Sequence, residues 1–269
     1  MLHAKVKLRG VRLSFVIPTR NQAAYIGACI DSCLAQQIVD SEILVMDGAS
    51  TDETVSVVQR YGDRVRLVSE PDRGQADAVN KGVRLARGEV VAWINSDDYY
   101  ADGSAVAALL QVIDEGADVA YGDGLRVDAQ GAPLGRYDAH PVATTADIVM
   151  WPASFVLQPA LLFRRELFLR VGGLDESLHY ALDYDLWLRM FPAATSTRYV
   201  RRDIACARYH VDAKSIAQMP RQILEAHRVK CRAMKALAMP PLQRLRTHLG
   251  VATMWAYWVS VRSGLRRAV

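Results

Sequence analysis

Two carboxylates stand side by side in "WINSDDYY" (93–100), where Asp97 and Asp98 directly follow the apolar run "EVVAWI" (89–94). Like charges at the end of a buried strand raise each other's proton affinity and are costly unless something positive joins them. A divalent cation carrying a phosphate ligand meets that need, because Mg²⁺ and Mn²⁺ take carboxylate oxygens and keep positions open for substrate and water. A solvated turn is the plain alternative. The elements around the pair decide between them.

Those elements alternate. "LSFVIP" (13–18), "EILVMD" (42–47), "RVRLVSE" (64–70) and "EVVAWI" (89–94) read as strands. Between them, "AAYIGACIDSCLAQQ" (23–37), "STDETVSVVQRYG" (50–62) and "GQADAVNKGVRLA" (74–86) have helical spacing of apolar residues, the second opened by a Ser/Thr/Asp cap cluster. Strands separated by helices of this length imply right-handed crossovers and a mostly parallel sheet covered on both faces. Ligands of such sheets bind beyond the carboxyl ends of the strands. Here those ends read "PTRN" (18–21), "DGAS" (47–50), "EPDRG" (70–74) and "NSDD" (95–98). Four polar loops of similar chemistry at one edge are a binding site.

Beyond Asp98 the pattern loosens. "DVAYGDGLRVDAQGAPLGRY" (118–137) reads as paired strands with a turn near Ala129-Gln130-Gly131, and "FVLQPALLFRRELFLRVGGLDESL" (155–178) as a strand, a helix and a Gly-Gly stop. "DYDLWLRM" (183–190) carries Leu186, Trp187 and Met190 at helical spacing, with Asp183 at its start, and "DIACARYHVDAKS" (203–215) is a late strand running into a loop. No internal repeat is present.

In this order the loops resemble the family-2 glycosyltransferases of the GT-A fold. "SFVIPTRN" is similar to the family's opening strand and loop, and "VMDGASTDET" to its second-strand nucleotide motif. "DRGQADAVNKGVRLARGEVVAWINSDD" resembles the run that leads to its DxD-type metal motif. "QPALLFRRELFLRVGGLDESLHYALDYDLWLRM" resembles its acceptor-side segment, and "ARYHVDAKS" its closing His-containing loop. The likeness spans roughly residues 13–215 and is specific for the superfamily, not for a substrate. It implies an α/β GT-A domain over 1–218, with a nucleotide-binding half (13–98) and an acceptor half (99–218), followed by a basic helical tail (219–269).

The resemblance also implies roles. Asp98 would hold Mn²⁺ or Mg²⁺ on the diphosphate of a nucleotide sugar, and Asp97 would bond the ribose hydroxyls; the triplet Ser96-Asp97-Asp98 is a variant of a strict DxD. Asp47 would recognise the imino N–H of a uracil-type base, with Pro18, Thr19 and Asn21 lining the same pocket. Arg73 and Asp77 fall where the family contacts base, ribose or donor sugar. His210 would complete the cation's shell, and Lys214, with Ser215, would reach the diphosphate. Asp183 occupies the position of the general base, the second acid of an "ED" pair, but Leu182 precedes it, which leaves Asp185 as the other carboxylate. A helix N-terminus lowers an Asp pKa, so Asp183 is expected to be a weak base that acts late. Trp151 and Trp187 are candidates for stacking on a sugar, with core packing the simpler role for Trp187. One base and one cation suit a single inverting displacement from a UDP-sugar, with dTDP-sugar next, onto a saccharide or lipid-linked acceptor.

Charge is uneven along the 269 residues. From Pro220 onward there are ten Lys/Arg against one acid, Glu225, although the whole chain is only +4. "LQRLRTHLGVATMWAYWVSVRSGLRRAV" (242–269) sets Trp255, Tyr257 and Trp258 among apolar residues flanked by arginines. That suits a helix lying on an anionic membrane surface, or one packed on the catalytic domain or a second subunit. No nucleic-acid motif accompanies the charge. The run Leu249–Val261 is too short to span a bilayer. "MLHAKVKLRGVRL" lacks a signal-peptide core. Cys29, Cys33, Cys206 and Cys231 show no disulfide framework. The expectation is a cytoplasmic protein, peripheral at the inner face of the cell membrane. A pyrophosphorylase would open with a Gly-rich basic loop, a dehydrogenase with GxGxxG, and neither is present. A non-catalytic nucleotide-binding or scaffold module would have lost Asp98 or Asp183, and both are kept.

Overall fold

Strand β1 (Leu13–Thr19) is buried along its whole length. Its side chains alternate between two cores: Leu13, Phe15 and Ile17 join one, and Val16 the other. This is the period-two consequence of a strand covered on both faces. Strands β2 (Ser41–Asp47) and β4 (Val90–Trp93) flank it in parallel, and β3 (Arg66–Ser69) lies parallel to β2. The crossovers are helices α1 (Ile26–Leu34), α2 (Thr54–Gln59) and α3 (Gln75–Leu85). Helix α1 puts Ile26, Cys29 and Ile30 on the Phe15 face, whereas α3 puts Val79 and Val83 on the Val16 face. The order of strand addition therefore reverses at β1, from β3-β2 on one side to β4 on the other, and the carboxyl ends of β1 and β4 bound a crevice.

Helix α2 is shorter than the 50–62 expected from its apolar spacing. The residues ahead of it are engaged by the neighbouring loop: the Thr51 N–H donates to Asn21 Oδ1 at 2.8 Å, and the Ala23 N–H to Asp52 Oδ2 at 3.1 Å. Side chains that cap and stitch a loop compete with helix formation.

The chain continues through β5 (Tyr99–Tyr100), α4 (Ala105–Asp114), β6 (Val119–Val127), β7 (Pro133–Tyr137), α5 (Thr145–Met150), β8 (Leu161–Arg164), α6 (Arg165–Arg170), α7 (Leu182–Ala193) and β9 (Thr197–Arg208). It ends in α8 (Met219–Ala236) and α9 (Pro241–Arg262). The computed structural model describes residues 10–142, 144–150, 154–210 and 218–262. Among these, the sheet runs β3-β2-β1-β4-β8-β6-β9-β5, with β7 beside β6. Strand β8 is antiparallel to β4 and β6, and β9 is parallel to β6. Strand β5, which follows Asp98 at once, pairs antiparallel with β9 in the register Tyr99↔Cys206. That pairing delivers Arg208 to the Asp97-Asp98 loop.

Gly82 lets α3 approach the sheet closely. A Cβ there would lie 2.5 Å from Val16 Cγ1 and 3.0 Å from Met46 Cγ. Gly82→Val is therefore expected to destabilise the chain by about 1–3 kcal/mol through overpacking, read as a lower urea midpoint at unchanged slope.

Candidate active site

The crevice opens into a cleft of about 770 Å³, lined by residues that include Pro18, Thr19, Asp97, Asp98, Gln158 and Asp183. It spans the nucleotide-side strand ends and the start of α7, so both halves of the sheet and the first tail helix contribute walls. Thr19 Oγ1 and Gln158 Oε1 are buried polar atoms with no hydrogen-bond partner among the described residues. Both residues face the cleft, and buried polar atoms of this kind are costly unless a ligand or water satisfies them.

Asp98 is 6% exposed. Its Oδ1 accepts the Arg208 N–H at 2.9 Å, and Oδ2 is 3.4 Å from Asn95 Nδ2. Burial, and then the charge of Asp97, push its carboxyl well above the usual range. A divalent ion beside the pair would offset the cost of charging its buried member. Asp97 is the more open partner, and its Oδ2 lies 3.1 Å from His210 Nε2. The imidazole is buried, packs against the Tyr25 ring with centroids 4.8 Å apart, and leaves Nδ1 without a partner among the described residues. His210 thus contacts the ribose-side carboxylate of the expected pair directly. Asp98, Asp97 and His210 are oxygen and nitrogen donors of the kinds that a divalent cation takes, although their donor atoms do not converge on one point in this structure.

Arg208 holds this loop, although nothing in the sequence singles it out. Its guanidinium sits between the rings of Tyr25 and Tyr99, 5.0 and 5.1 Å from their centroids. Nε donates to the Asp97 carbonyl at 2.9 Å and Nη1 to the Ala129 carbonyl at 2.8 Å. An arginine two residues before His210 is the only available signal.

The other nucleotide-side residues stand behind the cleft wall. Asp47 is buried and accepts from the Ser50 N–H at 3.1 Å, from Ser69 Oγ at 2.7 Å and from Ser50 Oγ. Asn21 adopts φ 53°, with its N–H on Ser50 Oγ at 2.8 Å. Together they lock the first three strand ends into one rim. Asp77 is turned toward its own helix: it accepts the Arg73 N–H and guanidinium at 3.1 Å each and pairs with Lys81 at 3.2 Å. Arg73 lies exposed at the rim, 2.6 Å from Glu176. Lys214, Ser215 and Trp151 fall outside the described residues.

Asp183 is the second residue of α7 and keeps partial exposure to the cleft. Burial raises its pKa to about 6. This corrects the expectation of a lowered value: the helix N-terminus does favour the charged form, but desolvation outweighs it. Asp185, the other carboxylate, is paired: Arg189 Nε and Nη2 hold its Oδ2 at 2.9 and 2.7 Å, and Arg232 lies 3.4 Å from Oδ1. Trp187 is fully buried in the core.

The first tail helix completes the wall of the cleft beside Asp183. Glu225 on α8 accepts the backbone N–H groups of His179, Tyr180 and Ala181 at 2.9, 2.6 and 2.8 Å, fixing the turn that leads into α7. Lys230, also on α8, is buried, lines the cleft, and sits 5.6 Å from the Tyr184 ring centroid. Burial pulls its pKa down to about 8. Glu225→Ala would strand the N–H of buried Ala181, a loss of about 1–3 kcal/mol, and release the half-buried Tyr180 and exposed His179 N–H groups to water. The expected result is a lower thermal midpoint with turnover reduced about tenfold or more, while Glu225→Gln retains most of both.

Comparison with known proteins places this geometry. The family model for glycosyl transferase family 2 matches residues 14–172. The PGL/p-HBAD biosynthesis glycosyltransferase of Mycobacterium tuberculosis is 32% identical over 199 residues, covering 71% of this chain and 75% of that protein. An uncharacterized glycosyltransferase of Rickettsia prowazekii is 31% identical over 185 residues; the match takes in 66% of this chain and 58% of that longer relative. Among solved structures, S. aureus TarS in complex with UDP-GlcNAc aligns with TM-score 0.64 at 19% identity, covering 83% of this chain and 66% of that one. The mannosyltransferase PcManGT of Pyrobaculum calidifontis, in complex with GDP-Man and Mn²⁺, aligns with TM-score 0.62 at 21% identity, covering 95% and 76%. The chain has the GT-A fold and belongs to glycosyl transferase family 2.

Proposed function

We propose that the chain is an inverting, metal-dependent glycosyltransferase that moves a sugar from a UDP-sugar to a hydroxyl of a saccharide or lipid-linked acceptor. One observation carries this reading: Asp183, with its pKa of about 6, shares a single cleft with the Asp97-Asp98 pair. A base and a carboxylate pair that could hold a cation, lining one cleft, suit an in-line displacement. Asp98, with Asp97 and His210 beside it, would hold Mn²⁺ or Mg²⁺, which supplies charge neutralisation for the departing diphosphate. Asp183 takes the proton of the acceptor hydroxyl as its oxygen attacks the anomeric carbon. The bond from that carbon to the diphosphate oxygen breaks on the opposite face, and the configuration inverts. Pro18 and Thr19 line the donor side, while Asp47 and Asn21 keep the rim in register. The uridine preference rests on the family resemblance of the "VMDGASTDET" motif, since Asp47 itself is held by Ser50 and Ser69 behind the cleft wall. Arg73 and Asp77 act through the α3 terminus, and Lys214 is assigned to the diphosphate by its place in the closing motif.

The acceptor side favours a lipid-linked substrate. Leu242, Leu245 and Leu249 are exposed on α9, with Arg244 and Arg246 among them. No helix among the described residues is long and apolar enough to cross a membrane, so the tail would lie on an anionic surface. The mycobacterial relative's name, which refers to PGL/p-HBAD biosynthesis, fits a role in cell-surface glycolipid assembly.

The test is a thermal-shift panel of UDP, dTDP, GDP and CMP, each with Mn²⁺, Mg²⁺ or chelator. A ligand at about 100 times its Kd adds about 2.7 kcal/mol. A metal-dependent shift with UDP, followed by UDP release from a UDP-sugar, supports the proposal. No shift with any nucleotide would leave a binding or scaffold role.

A further inference from the structure

We propose that His227, Cys231 and His248 form a zinc-class metal site that joins α8 to α9. His227 and Cys231 are four residues apart on α8, so both project from one face. The distance from His227 Nε2 to Cys231 Sγ is 3.6 Å. Two ligands on one tetrahedral zinc, with a Zn–S bond of about 2.3 Å and a Zn–N bond of about 2.0–2.1 Å, stand about 3.6 Å apart. His248 arrives from α9, its ring 5.1 Å from that of His227 and nearly edge-on to it. One ligand atom from each of the three lies within 4.8 Å of the others. His248 is exposed, so its ring can turn the remaining distance without disturbing the core.

The donors also state which metal. Two imidazoles and a thiolate select zinc, cobalt or copper over Mg²⁺ and Mn²⁺, which prefer oxygen. The site is therefore chemically distinct from the carboxylate pair in the cleft. His227 Nδ1 is buried without a partner among the described residues, and Nε2 faces the thiol, so the ring is not committed to a protein acceptor there. Three protein ligands leave a fourth position open, and both imidazoles border a groove of about 350 Å³ walled by Ile223, Leu224, Val251 and Trp255. Water fills that position in a tetrahedral three-ligand site. The structural consequence is specific. His227 lies on α8 between Glu225, which fixes the approach to Asp183, and Lys230, which lines the cleft. Metal at this site would clamp α9 onto the helix that holds the acceptor side.

The proposal does not depend on the glycosyl-transfer reading, and its test uses no activity. The full chain is stripped with chelator under reductant, and Co²⁺ is titrated with absorbance recorded. One equivalent is expected to give tetrahedral d–d bands and a thiolate-to-cobalt charge-transfer band, both displaced by Zn²⁺. Cys231→Ser should abolish the charge-transfer band, and His248→Ala should weaken Co²⁺ binding by more than about tenfold. Asp98→Ala should leave the thiolate charge-transfer band unchanged. Because His248 is exposed, its alanine variant is expected to fold, and its circular dichroism is checked beside the wild type. Absence of the bands in the wild type, or their survival in Cys231→Ser, would overturn the site. Cys29, Cys33 and Cys206 are buried, so a surviving thiolate band would mean a different and unfolded-state ligand.

Discussion

Asp183→Asn should produce a protein that is more stable and almost inactive. The carboxyl has a pKa of about 6 in the fold against an ordinary value of 3.8. The folded chain therefore binds more protons than the unfolded one between about pH 4 and 6, and stability falls as pH rises through that window. A tenfold difference in proton affinity between the two states is worth about 1.4 kcal/mol, and the cleft's solvent reduces the total to about 1–2 kcal/mol. Asparagine cannot titrate. Its advantage should be nil below about pH 4 and full above about pH 6, raising the thermal midpoint by a few degrees. Turnover should drop about 10²–10⁴-fold, the usual contribution of a positioned base, with nucleotide affinity unchanged. The wild-type rate should rise with pH through about 6 and then level. An Asp183→Asn variant that transfers sugar at near wild-type rate would remove this residue from the chemistry and with it the assignment of the acceptor wall.

The strands and crossovers around the nucleotide side are legible because their apolar residues follow a strict period. "LSFVIP" and the "VVAWI" of "EVVAWI" are buried in the structure, and a nearly continuous apolar run has few other destinations. The polar strand ends are legible for the complementary reason: four loops of one chemistry at one edge have a common purpose. The acceptor side is less so. Arg208 looks like a surface arginine in the sequence, and only the β5–β9 register shows that its backbone N–H reaches Asp98. Glu225 and Lys230 lie over 40 residues from Asp183 along the chain and in a stretch marked chiefly by positive charge, yet helix packing brings them to the same turn. The raised pKa of Asp183 is not legible, because a sequence shows the helix end but not the apolar walls around it. Asp77 fits a donor contact by motif, whereas its partners Arg73 and Lys81 are set by helical spacing alone.

The carboxylate pair gives the second large expectation. Asp98→Asn should fold at least as well as the wild type yet lose the metal-dependent part of nucleotide binding. Asparagine keeps an oxygen for the Arg208 N–H, which Asp98 Oδ1 accepts at 2.9 Å. It also removes the charge that burial and Asp97 oppose, the two causes that push the Asp98 carboxyl upward. What it cannot supply is an anionic ligand to a hard cation. The shift produced by UDP with Mn²⁺ should shrink to that seen with chelator, and turnover should fall by about 10²–10³-fold or more, the scale set by losing one stabiliser of leaving-group charge. Metal binding should also depend on pH with a definite sign. Cation and proton compete for Asp98, so wild-type metal affinity should climb as pH rises and protons should be released on binding. The variant should lose that slope. An Asp98→Asn protein that retains a Mn²⁺-dependent UDP shift with an unchanged pH slope would move the cation to Asp97 and His210, whose 3.1 Å contact would then have to open to admit it.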